Sequence, residues 1–192
     1  MAKGANYERE ICRKLSLWWT KGERDDCFWR SSMSGGRATI RSRQGKETSG
    51  HYGDIAATNK IGHKFMSYFT VEIKCGYKKA SCSNLFDVVT SKAGAKRTLM
   101  EWIKQAKTAS KLAKTLNWLL IHKPDRREPI VYMNESAGMF LSSNLEGKHR
   151  LFVGHLTVKK YRGQETSVYF MRLSSFLSIN PETITALPKE KS

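Results

Sequence analysis

The run TVEIKCG, Thr70 to Gly76, does most to constrain what this chain can fold into. Val71, Ile73 and Cys75 alternate with Thr70, Glu72 and Lys74, and alternation with period two marks a half-buried strand. Side chains at i and i+2 share a face, roughly 6.5 Å apart along the strand, so Glu72 and Lys74 project together. Taken alone, the pair reads as a solvated face with one acid and one base, because short motifs recur by accident. The rest of the chain has to decide whether it is more.

The elements around that strand give a mixed α/β class. Asn6 to Thr20 has helical periodicity: Tyr7, Trp18, Ile11, Leu15, Trp19 and Cys12 cover one arc of the wheel. Glu8 falls inside that arc. It is either a carboxylate awaiting a cation or metal, or an acid favoured by the dipole at a helix start. Cys27 to Ser32 reads as a strand, and Met33 to Gly53 as a cationic Gly/Ser loop carrying Arg37, Arg41 and Arg43. Asp54 opens the apolar run DIAAT, a turn is expected at NKIGHK, and MSYFTVEIKC returns, so the pattern predicts a hairpin. Ala95 to Leu116 is the clearest helix, with Leu99, Trp102, Ile103 and Ala106 on one side. Lys104, Lys107, Lys111 and Lys114 form a stripe on the other, a solubilising face or a rail for phosphates. NWLLIHK and IVYM read as core strands, and LFVGHLTVKKY with SVYFMRL as a second, C-terminal hairpin.

Charge selects the partner. There are 34 Lys and Arg against 17 Asp and Glu, a net of +17, which favours a polyanion: nucleic acid first, an acidic membrane surface second. A 40% hydrophobic share and five tryptophans argue against general disorder. No run of about 18 apolar residues is present to span a membrane, and MAKGANYEREICRKL lacks the apolar core of a secretion signal. The four cysteines lack C-x-x-C spacing and read as reduced thiols rather than a disulfide framework or zinc site.

On the expected hairpin, Asp54 and Glu72 sit on adjacent strands, Lys74 shares the face of Glu72, and Glu8 comes from a packed helix. Carboxylates facing one point suit a hard cation such as Mg²⁺. Such an ion acidifies a bound water and neutralises charge building on a phosphate, and a lysine beside it can position that water or stabilise the leaving charge. The chemistry implied is metal-assisted hydrolysis of a phosphodiester.

These residues resemble the PD-(D/E)xK nucleases, with GD at Gly53–Asp54 and EIK at Glu72–Lys74. More narrowly, KGANYERE, with Glu8 and Arg9, and WRSSMSGGR, with Arg30, Ser34 and Arg37, resemble the start of archaeal-type and phage Holliday junction resolvases. The resemblance implies a restriction-endonuclease-like mixed sheet flanked by helices, with the C-terminal hairpin as an addition. It implies a nuclease core over residues 1–133 and an extension, 134–192, packed on it. Carried over, Glu8, Asp54, Glu72, Lys74 and Ser34 form the catalytic set. Asp54, Glu72, the Ile73 carbonyl and Glu8 would hold Mg²⁺, with Mn²⁺ as a substitute. Arg9, Arg30 and Arg37 would contact DNA; the charge pattern of the loop and of the long helix adds Arg41, Arg43, Lys104, Lys107, Lys111 and Lys114 to the candidate DNA contacts. The expectation is a cytoplasmic homodimer (host cytoplasm if phage-encoded) that cuts branched DNA and needs no small-molecule cofactor. A linear-duplex endonuclease of restriction or homing type, and a non-catalytic DNA-binding protein on the same scaffold, stay open.

Overall fold

The computed structural model describes residues 3–31, 52–76, 93–159 and 165–187. Helix α1 (Lys3–Trp19) is followed by two short strands, β1 (Phe28–Arg30) and β2 (Ile55–Ala57), which pair antiparallel with Arg30 opposite Ile55. After α2 (Lys60–Tyr68) comes β3 (Phe69–Cys75), then the long α3 (Ala93–Ala113). The chain continues through β4 (Asn117–Lys123), β5 (Ile130–Asn134), α4 (Glu135–Ser142), β6 (Val153–Lys159) and β7 (Glu165–Arg172). Short helices α5 (Leu173–Phe176) and α6 (Pro181–Ile184) close it.

Among the described residues, the main sheet has five strands in the order β3-β4-β5-β7-β6. β3 and β4 run parallel, with Glu72 beside Leu120 and Lys74 beside His122, and the remaining pairs are antiparallel. Parallel neighbours need a crossover, which α3 supplies. Period two then sorts the side chains. Val71, Ile73, Leu119 and Ile121 turn toward a core shared with Tyr7, Ile11 and Leu15 of α1. Trp118 and Leu120 turn toward Leu99, Trp102, Ile103 and Ala106 of α3. The C-terminal hairpin extends the sheet, and Ile184 and Leu187 reach the α1 core. The Trp18 indole N–H donates to the Ile179 carbonyl at 2.8 Å, tying α1 to the C-terminal segment.

The hairpin expected between Asp54 and Cys75 is corrected. NKIGHK opens a helix, because Asn59 caps it by accepting the Gly62 N–H at 3.1 Å. Phe65 is fully buried against Phe28 and Phe69, so α2 is held by its apolar face. β2 consequently pairs with β1 and not with β3. The stretch after Asn134, which carries no helix signal beyond its acid at the first position, forms α4.

Candidate active site

The site grows from the edge of β3 that β4 does not cover. In a strand, both backbone groups of one residue point to the same side, and those of Val71 and Ile73 point outward here. Asp54 takes up one group from each. Its N–H donates to the Val71 carbonyl at 2.8 Å, and its Oδ2 accepts the Ile73 N–H at 2.7 Å. Gly53 makes the approach possible: it has φ +86°, and a Cβ there would lie 2.7 Å from the Val71 carbonyl oxygen. From the other side, Ser31 N–H donates to the Asp54 carbonyl at 2.8 Å. Asp54 is thus brought to Glu72 by a loop docking on the strand edge, a geometry that replaces the expected hairpin.

Both acids are buried, Asp54 at 8% exposure and Glu72 at 3%. Glu72 Oε2 accepts from Gln105 Nε2 of α3 at 2.9 Å and lies 3.4 Å from Lys74 Nζ. Burial pushes the Glu72 carboxyl up to about 8, the Asp54 charge adds to this, and Lys74 opposes it. Asp54 is also raised, first by burial; the Ile73 N–H and Lys74 pull it down, while Glu8 pushes it up. Two buried acids that resist being charged together fit a hard divalent cation, whose charge would offset their repulsion. The Ile73 carbonyl lies on the same outward edge as its N–H. Asp54, Glu72 and that carbonyl are the oxygen donors such an ion would meet.

Glu8 lies near enough to raise Asp54, yet its Oε2 accepts from Arg30 Nε of β1. Among the described residues, no three His, Cys, Asp or Glu side chains form a group that could hold one metal ion. Arg9 donates to Asn6 at 3.0 Å. Lys104, Lys107 and Lys111 line a groove of about 460 Å³ between α3 and Thr166 of β7, on the far flank of the helix from β3, and Lys114 is exposed. Ser34, Arg37, Arg41 and Arg43 lie outside the described residues. Gln105 was not legible from sequence, since a polar residue between Lys104 and Ala106 carries no signal of its partner 33 positions away.

A family model described as phage putative PDDEXK endonuclease matches residues 1–186. The chain belongs to this family. No curated protein and no solved structure matches the chain. The five-stranded mixed sheet flanked by helices is consistent with the restriction-endonuclease-like fold, and PD-(D/E)xK nucleases generally use divalent metals. Among the described residues of this PDDEXK family member, no helix is long and apolar enough to cross a membrane.

Proposed function

We propose that this PDDEXK family member is a Mg²⁺-dependent DNA endonuclease, with Mn²⁺ able to substitute, and that branched junction DNA is its preferred substrate. The observation that supports the reading is the meeting of Asp54, Glu72 and Lys74 at the open edge of β3. A bound divalent cation supplies an acidified water and charge neutralisation on the phosphate. The protein's own groups set the stage. Asp54 and Glu72 would hold the ion together with the Ile73 carbonyl. The Ile73 N–H and the Gln105 amide keep the two carboxylates in place. Lys74, with 12% of its side chain exposed and its ammonium 3.4 Å from Glu72, would meet the charge on the reacting phosphate. Ser34 and Arg37 are assigned to phosphate contact on the resemblance, and Arg41 and Arg43 on the cationic composition of their loop.

The preference for junctions rests on the resolvase-like order of Glu8, Arg9 and Arg30. A four-way junction needs two symmetric cuts, so a C₂ homodimer with two sites is the assembly proposed. Residues 1–133 would carry the nuclease core and 134–192 an extension packed on it, working in the cytoplasm of the host. The test is cleavage of a labelled four-way junction beside its linear duplex, with and without Mg²⁺, alongside sedimentation at micromolar concentration. Equal cutting of the duplex by a monomer replaces the junction reading with the restriction-type one. Binding without any cleavage leaves a DNA-binding protein on a nuclease scaffold.

A further inference from the structure

We propose that Glu8 anchors Arg30 rather than ligating the cation, and that the pair forms a phosphate-binding subsite beside the Asp54–Glu72 centre. This deepens the nuclease reading above and rests on it.

Three observations converge. The two side chains come from positions 22 residues apart and are directly hydrogen-bonded, Arg30 Nε to Glu8 Oε2. The carboxylate is the more enclosed partner at 14% exposure, while Arg30 keeps 30% of its side chain accessible. Glu8 does not join Asp54 and Glu72 in a three-acid group that could hold a metal.

The strand that carries Arg30 is also fixed to the site. Phe28 is fully buried beneath it, Arg30 stands opposite Ile55, and the next residue, Ser31, donates its N–H to the Asp54 carbonyl at 2.8 Å. The backbone of Arg30 is therefore tied to that of Asp54, and its side chain is held by Glu8. Guanidinium offers five donors in a planar fork, and a carboxylate that takes Nε fixes the plane in which the others project. A planar fork held next to two acids that would carry a divalent cation suits a phosphodiester oxygen pair. Drawing Glu8 onto the cation instead would break its ion pair with a partly buried arginine and release the guanidinium plane that the pair holds.

The experiment titrates Mn²⁺ alone into the full-length protein by calorimetry, for wild type, Glu8→Gln and Asp54→Asn. It then measures junction DNA binding in EDTA for Glu8→Gln, Arg30→Ala and the double variant. Glu8→Gln is expected to keep the wild-type Mn²⁺ affinity, whereas Asp54→Asn loses it. Glu8→Gln should weaken DNA binding by about tenfold in the wild-type background, the effect of removing one charge-assisted hydrogen bond. In the Arg30→Ala background it should weaken it no further. Arg30→Lys keeps the charge but not the fork, and should bind DNA as poorly as Glu8→Gln. Loss of Mn²⁺ affinity in Glu8→Gln matching that in Asp54→Asn overturns the proposal, as does an equal loss of DNA affinity in both backgrounds. A wild-type protein that takes up no Mn²⁺ counts against the nuclease reading itself, and the DNA-binding cycle then decides this proposal alone.

Discussion

At one edge of the sheet, two outward backbone groups of β3, the Val71 carbonyl and the Ile73 N–H, are occupied by a single residue, Asp54. At the other edge, β6 pairs with β7 and exposes His155 and Thr157, with modest surface contacts: Thr157 to Ser167 at 3.2 Å and His155 to Glu135 at 3.7 Å. Bare strand edges invite unwanted pairing, and proteins blunt them. Here one edge is blunted by polar side chains. The other is blunted by a docked loop, and that docking buries a carboxylate next to Glu72. The same structural need is met twice, and among the described residues the buried acids gather at the β3 edge.

The sharpest way to break this contrast is to neutralise the acids. Asp54→Asn and Glu72→Gln are expected to lower cleavage by roughly a thousandfold or more, since the charge stabilisation at stake is several kcal/mol. DNA binding should stay intact or tighten, because each change removes an acid that faces phosphate. Single-turnover cleavage and gel-shift titration check both halves. A folded variant that keeps most of its activity takes that residue out of the centre.

Next in size is a pH effect between the two edges, on β4. His122 is buried, 4.9 Å from the Trp102 ring, and burial holds its pKa down at about 4. The unfolded chain takes up this proton near pH 6.5, and the native state does so only near 4. The contribution is therefore fully present above pH 6.5 and is lost as pH falls toward 4, by roughly 3 kcal/mol at the low end. Because Asp54 and Glu72 shift in the raised direction and act with opposite sign, the clean measurement is a difference. Relative to wild type, His122→Phe should gain stability steadily from pH 6.5 down to 4 in urea titrations. A pH-independent difference would mean that His122 does not stay neutral.

Two glycines separate the edges at a smaller scale, about 1–3 kcal/mol each for overpacking. Gly53→Ala places a Cβ against the Val71 carbonyl at positive φ. Gly138→Ala drives one from α4 to 2.1 Å from the Tyr169 Cβ on β7. Both should lower Tm. Only Gly53→Ala should also reduce cleavage per folded molecule, because it displaces Asp54. Equal losses of specific activity would show that the two regions are coupled. Smallest is the lysine flank of α3. Replacing Lys104, Lys107 and Lys111 with alanine should flatten the log–log salt dependence of DNA binding by about 0.9 for each phosphate no longer neutralised. An unchanged slope makes the stripe a solvated face.

The periodic parts of the chain were legible. Period two in β3 put Glu72 and Lys74 on one face, and the structure holds their charged groups 3.4 Å apart. The arc of Tyr7, Ile11, Cys12 and Leu15 is buried as expected, and the C-terminal hairpin forms and extends the sheet. Between Asp54 and Glu72 a helix stands where the pattern predicts a turn. In NKIGHKFMSY the apolar residues are too few to separate a turn from a short helix, and the deciding contacts, Phe65 on Phe28 and Phe69, are tertiary. Asp54 reaches Glu72 nonetheless, through two backbone hydrogen bonds that do not depend on hairpin pairing. Gln105 had no comparable signal, and the place of Glu8 on the core-facing arc signalled a cation or metal without naming Arg30, since each contact joins elements with separate periodicities.

By itself, the sequence determined the mixed α/β class, the acid–lysine face of β3, the apolar side of α1 and the strong positive charge. All four follow from local periodicity or from composition, which need no knowledge of where distant segments meet. Only the tertiary structure decided that β3 forms an edge and that the Gly53–Asp54 loop closes it. It also decided that Arg30 engages Glu8 and that Gln105 engages Glu72. Those outcomes depend on how helices and loops dock on the sheet, where burial and hydrogen bonding between remote residues outweigh local preference.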